Sequence, residues 1–174
     1  MIKDLEELFI RLEDQRAEVL NPLKGLDHST LVWKPRPTRW NVMEILQHLI
    51  TSEQLTLSYM KKKSNAIESL SDSGWIESVK LLGFKVSQRL PLRFKAPKMI
   101  VPITVPGSIV ECEALWNESR AQIKSFLDQL KETHLKRKIY RHPLVGRFSC
   151  QQALEIMYEH IQHHRPQIRN LLRR

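Results

Sequence analysis

Apolar residues recur at helical spacing in four stretches of the chain. The first runs from about Ile2 to Leu20, where Leu5, Leu8, Phe9, Leu12, Val19 and Leu20 share one face. Asn21-Pro22 ends it, because a proline disfavours helical geometry in the residue before it. The second begins at Asn41 and continues to about Lys61, with Val42, Ile45, Leu46, Leu49 and Ile50 on its inner face. Asn41 and Glu44 have the spacing of a capping box, in which each side chain satisfies the other residue's backbone N–H. The third begins at Ser108, with Glu111 completing the same signature. Cys112, Leu115, Trp116, Ser119, Ile123, Phe126, Leu127 and Leu130 form its stripe. The fourth begins at Ser149, with Gln152 as partner, and runs to the C-terminus.

Four long amphipathic helices cover one another's apolar stripes most simply as an all-α four-helix bundle. Glycine is only 5 of 174 residues, which argues against a turn-rich all-β chain. The length fits one domain spanning residues 1–174. About twenty residues join helices one and two, and about 45 join helices two and three. The second connection is long enough to cross the bundle, so helices two and three can run parallel. It leaves room for a short helix within residues Asn65 to Leu82. From Ser78 to Val110 it has no acidic residue but carries Lys80, Lys85, Arg89, Arg93, Lys95 and Lys98. With Pro91, Pro97, Pro102 and Pro106 as breakers, this reads as a cationic crossover loop.

Charge changes the picture modestly. A net +9 attracts anions but identifies no partner. A nucleic-acid partner would rest on Lys61-Lys62-Lys63, Lys136-Arg137-Lys138 and Arg173-Arg174. These clusters are short and scattered, and no helix-turn-helix, zinc-finger or RNP pattern accompanies them. The two cysteines, Cys112 and Cys150, have no CxxC pairing and suit reduced thiols in a cytoplasmic protein. The acidic amphipathic start is not a signal peptide. The longest charge-free apolar run, Met99 to Val110, is 12 residues with two prolines, too short and too broken to span a bilayer.

Helix four carries the candidate chemistry. Its stripe is Ala153, Met157, His160, His164, Ile168 and Leu171, so two histidines interrupt an apolar face one turn apart. At i and i+4 their Cβ atoms lie about 6 Å apart on one side, which lets both imidazoles reach one metal ion. Ile161 follows His160 where a zinc protease would have glutamate, so that motif is absent. A lone buried histidine usually just satisfies its polar ends, whereas two on one stripe must both be desolvated without an obvious partner. His163 is about 60° off the stripe, on its flank. His48 lies at the edge of helix two's inner face. Alone it reads as a boundary histidine, but with His160 and His164 it would complete three nitrogen ligands. Three protein ligands plus an open position is the pattern of catalytic zinc. Imidazole suits zinc, nickel, copper and iron alike. No general base is named: Glu44 reads as the capping carboxylate, Glu159 lies about 100° from His160 and Glu53 about 140° from His48, which leaves each open to a role behind the ligands. Trp33 and Trp40, around Lys34-Pro35-Arg36-Pro37, read first as packing that anchors a loop and second as a wall of the site.

Three stretches resemble the DinB/YfiT-like superfamily. Trp40-Asn41-Val42-x-Glu44-Ile45-Leu46-x-His48-Leu49 resembles its second-helix motif. His142-Pro143-Leu144-x-Gly146-x-x-Ser149 is similar to the loop before its fourth helix, and His160-x-x-His163-His164-Arg165-Pro166-Gln167-Ile168 to its C-terminal signature. The resemblance implies an up-down-down-up bundle, often a homodimer. It implies a divalent transition metal at His48, His160 and His164, for which zinc or nickel is the first expectation; from their positions, Glu44, His163 and Gln167 are candidates to support the ligands from behind. It also implies a small-molecule substrate, with activity as a low-molecular-weight-thiol transferase or a metal-dependent hydrolase. The ion would activate a water or a thiol at its open position. Pro166 stands where many relatives have glycine. It removes the hydrogen bond to the Gln162 carbonyl and is positioned to kink the helix. The competing reading is a bundle that keeps its histidines for interaction rather than catalysis.

Overall fold

A computed structural model describes residues 1–90, 100–102 and 104–173. The protein is mostly helical. Helix α1 spans Lys3–Leu20, and a 3-10 turn at Asn21–Leu23 carries Pro22 where the chain leaves it. The one-turn α2 is His28–Leu31, and α3 is Val42–Ser64. Then come a 3-10 turn at Ile67–Ser69, α4 at Trp75–Arg89 and α5 at Ile109–Asp128. A 3-10 turn at Glu132–His134 leads into strands β1 (Tyr140–His142) and β2 (Gly146–Phe148), followed by α6, Cys150–Leu172.

The caps set where the long helices start. Asn41 Oδ1 accepts from Glu44 N at 2.8 Å, while Glu44 Oε2 accepts from Asn41 N at 2.9 Å. Ser149 and Gln152 make the same reciprocal pair at the head of α6. The box at α5 is only half made. Ser108 caps Glu111 N, but the Glu111 carboxylate reaches one residue further back, to Gly107 N at 2.7 Å.

α1 packs on α6 and α5, and α3 packs on α5 and α6, so the four long helices close a ring of neighbours. Their stripes meet in one continuous core with Leu5, Leu12, Leu46, Ile50, Trp116, Ile123 and Leu154 at its centre. Each such side chain removed from water contributes on the order of 1.5–3 kcal/mol. A charged group sits inside this core. Arg120 of α5 forks onto Glu53 of α3 at 2.6 and 2.8 Å, and Trp116 Nε1 donates to the same carboxylate at 3.0 Å. Both charged residues are buried.

Two elements differ from the sequence reading. The crossover helix begins at Trp75 and runs past Leu82 to Arg89. Lys80, Lys85 and Arg89 are therefore helical, not part of a loop. Lys85 pairs with Glu155, and Arg89 with Glu159, both on α6. Their charge is thus neutralised locally. Pro91, Arg93, Lys95, Pro97, Lys98 and Met99 lie outside the described residues. The second difference is a hairpin. Tyr140–His142 and Gly146–Phe148 pair antiparallel, Tyr140 opposite Phe148, with Gly146 at φ 111° where β2 leaves the turn. Backbone bonds from Ser73 N to Lys136 O and from Lys138 N to Ser71 O tie the approach to α4 to the approach to this hairpin. α4 is thereby laid along α6, with Leu81 and Phe84 inward. Among the described residues no helix is long and apolar enough to cross a membrane.

Candidate metal centre

His48 comes from α3 two turns after its cap, and His160 and His164 come from the middle of α6. α3 and α6 are packed neighbours, so residues 112 positions apart in sequence meet. His48 Nε2 is 3.0 Å from His160 Nε2, and His164 Nε2 is 3.2 Å from the same atom. One ligand atom from each of the three lies within 4.8 Å of the others. His48 and His164 are buried, and His160 is half-buried.

The opposite ring nitrogens decide which tautomer each imidazole adopts. His48 Nδ1 lies 2.8 Å from the Ile100 carbonyl and must donate to it, which leaves a lone pair on Nε2. The arrangement at His164 is longer. His163 Nδ1 donates to the Gln88 carbonyl of α4 at 2.9 Å, so His163 Nε2 accepts from the Gln167 amide at 3.2 Å. The Gln167 carbonyl oxygen then accepts from His164 Nδ1 at 3.1 Å. His164 Nε2 is left with its lone pair facing the centre. Two lone pairs thus face His160 Nε2, and a single proton there can bond only one of them. A cation bonds all three. Nitrogens about 2.0–2.1 Å from a tetrahedral ion are about 3.3 Å apart, close to the two separations from His160 Nε2. The donor set therefore fits a divalent metal.

Burial lowers the pKa of all three rings; the other cluster histidines add to this at His160 and His164, and His163 adds to it at His48. His164 is lowered to about 3 and His160 well below the ordinary 6.5. The rings are neutral at pH 7, the form that binds metal. Trp40 leans on His48, with ring centroids 4.8 Å apart.

Above the cluster opens a cleft of about 1410 Å³, walled by Trp33, Trp40, Ile45, Phe84, Leu144 and Leu171, with Arg36, Arg39 and Arg89 also lining it. Trp33 and Trp40 are therefore walls of the cleft as well as loop packing. Pro166 lines the cleft without ending α6, which continues to Leu172.

Of the residues the sequence offers behind the ligands, Gln167 bonds His164 directly, and His163 reaches it both through Gln167 and by an edge-on ring contact, centroids 5.1 Å apart. Glu44 is not in contact with the cluster. Its two oxygens go to the Asn41 backbone and to Lys34 Nζ, the latter at 2.7 Å. Glu53 and Glu159 are buried and held, by Arg120 and by Arg89. Three contributors escape a reading of the sequence alone: Gln88, Arg89 and His142. His142 lines the cleft from the end of β1, and burial lowers its pKa to about 4. Its Nδ1 accepts from Leu144 N at 3.2 Å. The His-Pro-Leu-x-Gly spacing carries a turn signal but gives no sign of which way the ring points. Cys112 and Cys150 are free, buried thiols with pKa raised to about 12, so neither is a nucleophile.

A helical protein with three converging imidazoles at the floor of a cleft is the class that fold and site define. The DinB superfamily matches residues 11–168, and the chain belongs to that family. It is 25% identical over 160 residues to the uncharacterized protein YuaE of Bacillus subtilis strain 168, across 91% of this chain and 93% of that one. No solved structure matches it significantly.

Proposed function

We propose that this DinB-superfamily protein is a metalloenzyme that holds one divalent transition metal, zinc or nickel, through His48, His160 and His164, and acts on a small molecule in the cleft above. The observation that carries this is the convergence of three Nε2 atoms, of which those of His48 and His164 are left by their partners with lone pairs facing that of His160. In this reading the chain is one cytoplasmic domain, residues 1–174, with its long helices up-down-down-up and a kinship to the YfiT-like branch of the superfamily. The free, buried thiols support a reducing compartment.

When bound, a divalent ion supplies Lewis acidity that lowers the pKa of a water or thiol at its open position. The reaction class is then metal-dependent hydrolysis or transfer of a low-molecular-weight thiol. The chain's own residues do the rest. Ile100 and Gln167 hold the rings of His48 and His164 in orientation. Trp33, Trp40 and Leu144 provide apolar wall that excludes water from a bound substrate.

Elemental analysis of untagged protein purified without chelator tests the metal. About one equivalent per chain, lost in His48→Ala, His160→Ala and His164→Ala with helicity retained, supports the assignment. Metal retained in any of the three variants refutes that ligand. Incubation of loaded enzyme with an electrophile, with and without a thiol co-substrate, then separates the two reactions. Turnover only with the thiol marks a transferase, and turnover without it a hydrolase. No turnover with a full complement of metal favours the non-catalytic interaction protein.

A further inference from the structure

His142 lines the cleft from the end of β1 and has no part in the histidine cluster. Its Nδ1 accepts from Leu144 N at 3.2 Å and from Val145 N at 3.4 Å. The neutral ring therefore carries its proton on Nε2. Phe84 meets the ring edge-on, centroids 5.1 Å apart, and restrains its plane. Nε2 has no hydrogen-bond partner among the described residues. The turn thus uses one nitrogen, fixes the tautomer and leaves an N–H donor for a molecule in the cleft.

The charges around that donor have one sign. Arg36, Arg39 and Arg89 line the cleft, and no aspartate or glutamate does so among the described residues. Arg89 is paired with Glu159. Arg36 and Arg39 have no acidic partner among the described residues. The backbone bond from Arg39 N to Arg36 O, at 3.0 Å, closes a turn that carries both of them between Trp33 and Trp40. Apolar walls beside unpaired cations focus their field on the cleft.

We infer that the substrate of this cleft carries a carboxylate on an apolar body, with Arg36 and Arg39 recognising the charge and His142 Nε2–H donating to one carboxylate oxygen. The planar guanidinium fork matches a carboxylate, and the tryptophans suit the apolar body. A phosphate fits less well, because the N-termini of α3 and α6, which would favour it, are closed by their own capping boxes. The inference rests on the cleft being the substrate site, and needs no particular ion there.

Calorimetric titration of the full-length protein, stripped of metal so that no ion can itself take up a carboxylate, tests this with 3-phenylpropionate and its uncharged amide, 3-phenylpropionamide, up to about 10 mM. The acid is expected to bind at least about tenfold more tightly than the amide, and Arg36→Gln with Arg39→Gln to bring the ratio near one. Two substitutions separate a donor at His142 from a mere turn support. His142→Asn keeps an acceptor for Leu144 N but has nothing at Nε2, whereas His142→Gln places an amide N–H near Nε2 and gives up the turn. Asparagine is expected to lower the ratio about threefold or more, and glutamine to keep most of it. A wild type that does not prefer the acid, an arginine variant that still does, or an asparagine variant like wild type beside a failing glutamine variant overturns the inference. So does inorganic phosphate that displaces the acid at equal concentration. Elemental analysis of the protein as purified keeps the two readings apart. Metal present without a preference for the acid refutes this inference alone, and a preference intact in protein that binds no metal refutes the metal centre alone.

Discussion

At His164 the two ring nitrogens have different tasks. Nδ1 is anchored to Gln167, and Nε2 faces the other imidazoles. Replacing Gln167 with alanine removes the acceptor that keeps the proton on Nδ1. The variant is expected to bind zinc about 10–100-fold more weakly, measured by competition with a chromophoric chelator, while its unfolding midpoint hardly moves. Residue chemistry also sets a pH dependence for the metal-free protein. Burial lowers the pKa of His48, His142, His160 and His164 below the ordinary 6.5. In the unfolded chain these rings take up protons near pH 6.5, whereas in the folded chain His142 and His164 resist until about pH 4 and pH 3. The unfolded state therefore binds more protons as pH falls, and stability declines from about pH 6.5 downward, by up to about 1.4 kcal/mol per pH unit for each such ring. Carboxylates with lowered pKa, such as that of Glu77, add acid sensitivity only below about pH 4.5. Urea midpoints of apo protein between pH 7.5 and 5 check this, since a flat profile there excludes buried neutral histidines.

Elements were legible in the sequence wherever a local signal marked their ends. Asn41 with Glu44 and Ser149 with Gln152 each satisfy two backbone donors within four residues, so the pattern needs no tertiary knowledge. The same holds for His160 and His164, whose shared face follows from helical spacing alone. α4 was harder to place, because its N-cap is Gly74, whose lack of a side chain leaves Glu77 alone as the signal. The hairpin leaves no such signal, because three-residue strands are too short to show an alternating period. The Arg120–Glu53–Trp116 group could not be read at all. Its members are 67 and 63 positions apart and become partners only when α3 lies on α5. Removing one side of that group leaves a charge buried without its donor. Arg120→Ala is expected to cost about 3–5 kcal/mol in chemical denaturation, whereas the double change Arg120→Met with Glu53→Leu is expected to cost much less. A small loss from Arg120→Ala shows that water reaches Glu53.

For the molecule as a whole, the cleft exists because α4 is held along α6 rather than left as a loop. Three links hold it there: Lys85 to Glu155, Arg89 to Glu159 and the Gln88 carbonyl to His163. The last of these begins the hydrogen-bond path to His164, so the docking of α4 and the orientation of a candidate ligand are one structural event. Of the three links, Arg89 to Glu159 is the most unequal. The arginine is 68% exposed, but the carboxylate it satisfies is buried beside His160. Arg89→Ala therefore leaves Glu159 without donors and loosens the end of α4 nearest the cleft. Amide exchange across Trp75–Arg89 is expected to quicken by roughly tenfold or more, while α1, α3 and α5 keep their protection. Zinc stoichiometry should persist in this variant, because none of the three rings is removed, but affinity should fall with the loss of the His163 anchor. Glu159→Gln in the same background removes the stranded charge and is expected to restore protection in α4. If Arg89→Ala leaves both exchange and zinc affinity unchanged, the ion pair is ornamental and α4 is held by Leu81, Phe84 and the two remaining links.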